Sequence, residues 1–181
     1  MKSVLISIKP KWCELIASGK KTIEVRKTKP KLETPFKCYI YCTKDNTFAE
    51  KTLRGFDDNG KAIYYKANKG KVIGEFVCDR IITAPVGKYC RIPILASQID
   101  AFDLLEYADE KTIYGWHISD LVIYDKPREL SEFHKPCADI KNCLNRAFRE
   151  SGRSLDKCFD CGCRITRPPQ SYCYVESEGK E

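Results

Sequence analysis

The densest concentration of chemically capable side chains lies in one octapeptide, Gly19-Lys20-Lys21-Thr22-Ile23-Glu24-Val25-Arg26. Its alternation of polar and apolar residues predicts a half-buried strand over 22–26. Ile23 and Val25 then share one face, and Thr22, Glu24 and Arg26 share the other. On the polar face Glu24 neutralises Arg26, or orients Arg26 or a lysine. Lysines on the turn before such a strand suit phosphate contact without sequence readout. Residues 1–37 hold ten Lys/Arg against three glutamates, so the whole formal net charge of +7 falls in the first fifth of the chain. A polyanion such as nucleic acid fits that footprint; a solvated, Lys-rich surface is the alternative.

A second chemistry resides in the eleven cysteines, an odd number that cannot all pair. The N-terminal decapeptide has neither a long apolar stretch nor a small-residue cleavage site, so it is expected to belong to the folded protein. No run approaches the ~18 apolar residues of a membrane span. A cytoplasmic, reducing location is therefore expected, where disulfides are rare. Six cysteines fall between Cys137 and Cys173. Cys158-Phe159-Asp160-Cys161-Gly162-Cys163 overlaps a C-x-x-C with a C-x-C, and Gly162 permits the tight turn that aims thiolates at one ion. Structural zinc needs four such ligands in a tetrahedron. Cys158 and Cys161 form one pair. The second is Cys137 with Cys163, or Cys137 with Cys143 as substitute; His134 is a further candidate. Free thiols and a redox switch are the alternatives. Cys173 is expected to face the core from the closing strand. Among the earlier cysteines, Cys38 and Cys42 share a strand face, and none has a spacing that implies catalysis.

The elements that position these groups follow from periodicity. Residues 3–8 read as a strand rich in β-branched residues. Pro10 suits a first helical turn, and Trp12, Leu15 and Ile16 give residues 10–18 an apolar face. Gly19 sits where a left-handed cap belongs. Strands are predicted at 36–43, 63–65, 72–83 (with a bulge or bend at Gly74), 116–124 and 171–175. Helices are predicted at 97–108 and 139–150. In the first of these, Ile99, Phe102 and Leu105 are expected on the buried side, with Ala101 and Leu104 as further candidates for it. Many short strands with few helices favour a small mixed barrel with helices plugging its open ends.

The octapeptide resembles the Gly-x-Lys-x-x-Glu-x-Arg signature of the ASCH domain, a relative of the PUA fold. Gly19, Lys21, Glu24 and Arg26 fill its four positions. Further segments are similar to the family in the same order. Ser7-Ile8-Lys9-Pro10-Lys11-Trp12 looks like its opening strand and first helix, and Lys71-Val72-Ile73-Gly74-Glu75-Phe76 like its central strand. Residues 114–127 and 168–176 resemble the closing and C-terminal strands of bacterial and bacteriophage ASCH proteins. The resemblance covers 3–43, 71–130 and 165–176. It implies an α+β chain: a single PUA-like mixed β-barrel over 1–181, with short flanking helices. A Cys-rich insertion at 134–163 would precede the last strand.

By the same resemblance, the function expected is binding of RNA or a modified nucleotide at the helix–strand turn, with no membrane partner. The expected contacts are Lys9, Lys20, Lys21, Thr22, Glu24, Arg26, His117 and Ser119. Trp12, Tyr41 and Trp116 are either core residues or stacking platforms; stacking contributes ~1–3 kcal/mol per base. A nucleic-acid-processing hydrolase in the same cleft is the alternative, with Lys21 and Glu24 as its catalytic pair. One bacterial group of the superfamily hydrolyses N4-acetylcytidine with a threonine, a lysine and a glutamate. Here Lys21 matches the lysine, but Glu24 stands where the threonine would be, and acylating a carboxylate would give a reactive anhydride. Glu75 and Glu106 are the candidates for the third group. A ribonuclease would instead pair Lys21 or His117 as acid and base, with Arg26 on the phosphorane. A protein-interaction module built on the Cys-rich insertion is a third reading.

Overall fold

The computed structural model describes residues 2–44, 69–136 and 163–176, and the backbone of two further strands at 51–56 and 62–66. In chain order the strands are β1 (Lys2–Ile8), β2 (Ile23–Arg26), β3 (Phe36–Cys42), β4 (Lys51–Phe56), β5 (Ala62–Lys66), β6 (Val72–Cys78), β7 (Ile81–Ala84), β8 (Ile113–His117), β9 (Ser119–Arg128) and β10 (Tyr172–Glu176). Helix α1 is Pro10–Ala17, α2 the single turn Ile94–Ser97, and α3 Ala101–Ala108. Two 3-10 turns lie at Tyr89–Arg91 and Leu130–Glu132.

A five-stranded sheet runs β10-β1-β3-β6-β9, in which only β1 and β3 are parallel. β1 sits inside this sheet, and its Ser3–Ile8 stretch is buried throughout, which explains its near-continuous apolar run. Val4, Ile6 and Ile8 pack with Cys38, Ile40, Cys42 and α1 in the main core. Leu5, Tyr39 and Tyr41 face the opposite way, into a second core with Phe133 and Ile165. A three-stranded sheet, β2-β8-β7, buries Ile23 and Val25 against Ile92, Leu104 and Ala108 in a third cluster.

The expected barrel is corrected by this topology, because the sheets do not close. The predicted strands at 72–83 and 116–124 each break at a corner, Asp79–Arg80 and Ile118, where the chain crosses from one sheet to the other. At those corners the ladder gives way to single bonds, from His117 N–H to the Arg80 carbonyl and from Ile118 N–H to the Thr22 carbonyl. The predicted irregularity at Gly74 is present: β6 shifts register against both β3 and β9 there. A methyl at 74 would collide with the Val122 carbonyl.

Two predicted helices differ from expectation in the faces they bury. In α1 the buried side is Pro10, Cys13, Ile16 and Ala17, which leaves Trp12 only half-buried at its edge. Gly19 ends this helix at φ +73° as predicted, its N–H bonded to the Ile16 carbonyl. The predicted 97–108 helix starts later, as α3 at Ala101, while its first residue, Ser97, ends the separate turn α2. Gln98 turns left-handed at φ 57°, and Asp100 restarts the chain by capping Asp103 N–H at 2.8 Å. Leu104 and Ala108 face the core, whereas Phe102 and Leu105 are exposed. The predicted helix at 139–150 lies outside the described residues.

Candidate functional site

The turn between α1 and β2 is fixed by its backbone. Lys21 N–H donates to the Leu15 carbonyl and Thr22 N–H to the Ala96 carbonyl, so the turn is held to both α1 and α2. Alternation along β2 then does what the sequence implies. Ile23 and Val25 enter the core, and Glu24 and Arg26 face the other way. Lys21 does not reach solvent: its side chain is 1% exposed. Its Nζ donates to the Ser97 carbonyl at 2.5 Å, lies 3.5 Å from Glu24 Oε2, and sits 4.8 Å above the Trp12 ring. Arg26 Nη2 lies 2.9 Å from Glu24 Oε1 and donates to the Ser7 carbonyl at 2.6 Å. Two cations, one fully and one largely buried, therefore share one buried carboxylate. Arg26 Nε is buried with no hydrogen-bond partner among the described residues.

This cluster forms the floor of a cleft of about 400 Å³. Lys9 and Trp12 line it together with Ile99, Asp103 and Tyr107, and Thr43 and Gln170 contribute as well. Asp103 and Tyr107, four residues apart, share one face of α3, and Ile99 joins them from the link between α2 and α3. Tyr107 feels the floor directly. Burial raises its phenol pKa and Glu24 adds to that, whereas Arg26 opposes.

Of the residues named from sequence, Lys9, Trp12, Lys21, Glu24 and Arg26 line this cleft. Others lie elsewhere. Lys20 is exposed at the tip of the turn, and Thr22 is half-buried and engaged through its backbone. Tyr41 is corrected to the second core, because alternation along β3 turns it away from Ile40 and Cys42. Trp116 is likewise a core residue, fully buried and edge-on to Phe36 and Tyr172 at 5.9 and 5.4 Å. His117 Nδ1 lies 2.6 Å from Asp79 Oδ1, and Ser119 Oγ donates to the Val77 carbonyl. Neither lines the cleft. Glu75 is held by Lys37 Nζ and the Tyr124 hydroxyl, each at 2.6 Å, and Glu106 is exposed on α3; neither lines the cleft.

Among the proposed zinc ligands, Cys163 is buried next to the His134–Arg164 bridge, with Lys135 N–H donating to its carbonyl. Cys137, Cys143, Cys158 and Cys161 lie outside the described residues. Among the described residues no three metal-ligating side chains converge.

The profile of the ASCH domain matches residues 6–112, more than half of the chain and the part that supplies most of the cleft. The chain belongs to the ASCH domain family. Among solved structures it is similar to an ASCH protein of Zymomonas mobilis, at 16% identity and a TM-score of 0.58, covering 96% of this chain and 87% of that one. A tyrosine-to-phenylalanine variant of that protein gives 16% identity and 0.59, over 97% and 91% of the two chains. At such identity the likeness establishes a shared ASCH fold. No curated protein sequence matches significantly.

The buried floor makes a pH signature. Burial, joined by Arg26, holds the folded Lys21 below the ordinary lysine value of 10.5, although Glu24 pulls it upward. Between the lowered folded value and 10.5 the unfolded chain binds more protons, so stability rises with pH. A Lys21→Met chain has no group to titrate at this position. Urea unfolding of the two chains from about pH 7 to about pH 10 is expected to show the ASCH protein gaining stability relative to the variant. A pH-independent difference contradicts the buried placement.

Proposed function

We propose that this ASCH protein binds RNA or a modified nucleotide in the cleft above Lys21, Glu24 and Arg26. The ASCH family is generally RNA-binding and PUA-like. The observation that carries the reading to this cleft is the pairing of a half-buried indole with a buried, unpartnered guanidinium N–H. Trp12 offers a ring for stacking, and Arg26 Nε offers a donor to a base edge beside the Glu24 carboxylate, an acceptor. Phosphates fall to the exposed lysines. Lys9 lines the cleft, Lys11 lies against Trp12 at 4.7 Å, and Lys20 stands at the turn.

The same geometry favours binding over cleavage. Glu24 already serves two cations, which makes it a structural anion rather than a free nucleophile or base. His117, the acid–base candidate, is directed onto Asp79 outside the cleft lining. Fluorescence anisotropy with single-stranded RNA and with N4-modified cytidine nucleotides tests the reading. Trp12→Ala is expected to weaken binding about ten-fold or more. A joint Lys9→Ala/Lys11→Ala change is expected to flatten the salt dependence by roughly 0.7 for each phosphate that is no longer neutralised. Unchanged affinity in both variants contradicts the cleft assignment.

We also propose a structural zinc ion held by Cys158 and Cys161, completed by Cys137 and Cys163 or by Cys137 and Cys143. The support is the spacing of the thiols, and the placement of Cys163. Cys163 is fixed by the bonds from Lys135 N–H to its carbonyl and from Ile165 N–H to the Phe133 carbonyl. The backbone on both sides of residues 137–162 is thereby held together. Such an ion would couple folding of the insertion to thiolate formation. Metal analysis of protein purified without chelator is expected to give about one zinc per chain, and Cys158→Ser/Cys161→Ser to abolish it. Zinc near zero in the wild type rejects the site.

A further inference from the structure

Two carboxylates line the cleft, and one of them is already engaged. Glu24 lies between Lys21 and Arg26 at the floor. Asp103 is exposed in the first turn of α3, and its carboxylate enters no ion pair among the described residues. Its N–H is capped by Asp100, which fixes where α3 begins and therefore where this carboxylate stands. An acid in a first helical turn suits the helix dipole wherever it occurs. Its place is what calls for an explanation. It is a free anion in a cleft whose other charged groups are Lys9, Lys21, Arg26 and the neutralised Glu24.

Asp103 disfavours a phosphate inside the cleft, since like charges would meet there. It favours N–H donors instead. A carboxylate accepts through two oxygens side by side, so its best partner offers two adjacent donors. Among the four standard bases guanine alone does so, with N1–H and N2–H on its Watson–Crick edge. Adenine and cytosine set a ring-nitrogen lone pair beside their amino group, and uracil sets a carbonyl on each side of N3–H. Each of these turns an acceptor toward the carboxylate. Guanine also carries O6 next to N1–H, an acceptor for the Arg26 Nε that lacks a partner among the described residues.

We propose that the cleft selects guanine, with Asp103 as the residue that determines specificity. The inference rests on the reading of this cleft as a site for RNA or a nucleotide, and it adds the base. Asp103 accepts from N1–H and N2–H, Arg26 donates to O6, and Trp12 stacks on the ring. Phosphate contacts remain with the lysines. Asp103 therefore governs which base enters rather than how strongly the strand is attracted. A vicinal ribose diol is the other partner that suits a lone carboxylate, but it is the same in every ribonucleoside and gives no preference among bases.

Fluorescence anisotropy of the full chain with uridine octamers carrying a single G, inosine, A or C at the centre tests the assignment. The G octamer is expected to bind about ten-fold more tightly than the A or C octamer. Inosine lacks only the N2 amino group and is expected to lose most of that advantage. Asp103→Asn replaces one acceptor with a donor, and it is expected to bring the ratio of G to inosine affinity to about one. Asp103→Glu keeps both acceptors and retains a preference for G. A purely structural role for Asp103, or a contact to ribose, leaves these ratios where they were in the wild type and overturns the assignment. Displacement of the G octamer by GMP but not by AMP means that a free nucleotide suffices; displacement by neither means that the guanine must sit in a strand. Equal displacement by both overturns the proposal. Binding that depends on Trp12 but is blind to the base overturns guanine selection and leaves the cleft reading standing. No binding to any octamer overturns both.

Discussion

Lys21, Glu24 and Arg26 form a buried ionic cluster on which the rest of the site depends. Desolvating three charges is costly, and it is tolerated only because each finds partners in a fixed geometry. Those partners come from separate parts of the chain. Lys21 grips the end of α2 through the Ser97 carbonyl, and Arg26 grips β1 through the Ser7 carbonyl. The carboxylate of Glu24 joins them. The cluster thus acts as a bolt through the helical and sheet layers. Losing Glu24 would strand two cations, an effect of about 3–5 kcal/mol for buried pairs. The requirement for Lys, Glu and Arg at these spacings therefore has a structural cause, whatever they recognise.

The cluster also divides the labour of the basic segment. The formal charge of +7 concentrated in the first 37 residues suggests a surface made for polyanions, yet its two signature cations are largely inside. What remains at the surface is a set of lysines around the mouth, with an indole and a guanidinium N–H within. In the proposed reading, phosphate attraction would fall to the outer set and selection of a base to the inner one. In a partly dehydrated cleft a single unpartnered donor discriminates more than any exposed lysine, because its satisfaction is not shared with bulk water.

Much of this was legible in the residues, for identifiable reasons. The alternation from Ile23 to Arg26 fixes which side chains share a face, and Gly19 at a left-handed cap fixes where the turn falls. Most strands were readable along the chain too, although β4 was not anticipated. Closure of the sheets was not, because the breaks at Asp79–Arg80 and Ile118 arise from long-range pairing that no local pattern encodes. Alternation says that Trp116 and His117 point opposite ways, but not which way is inward; the core took Trp116. The same ambiguity hid Tyr41. The contribution of Asp103 and Tyr107 was missed because Phe102 and Leu105, with Ile99, suggest a different buried face for 97–108. The reason is the restart at Asp100, which rotates α3 so that Leu104 and Ala108 turn inward. The spacing of four between Asp103 and Tyr107 was the available signal.

The site as described requires Lys21 to be a buried brace rather than a phosphate contact. The salt dependence of RNA affinity in Lys21→Met, compared with the wild type, tests that role most directly. Weaker binding with an unchanged slope of log affinity against log salt is predicted, since the variant leaves every phosphate-binding lysine in place. A slope reduced by roughly 0.7, the increment for one phosphate of single-stranded nucleic acid, would contradict it.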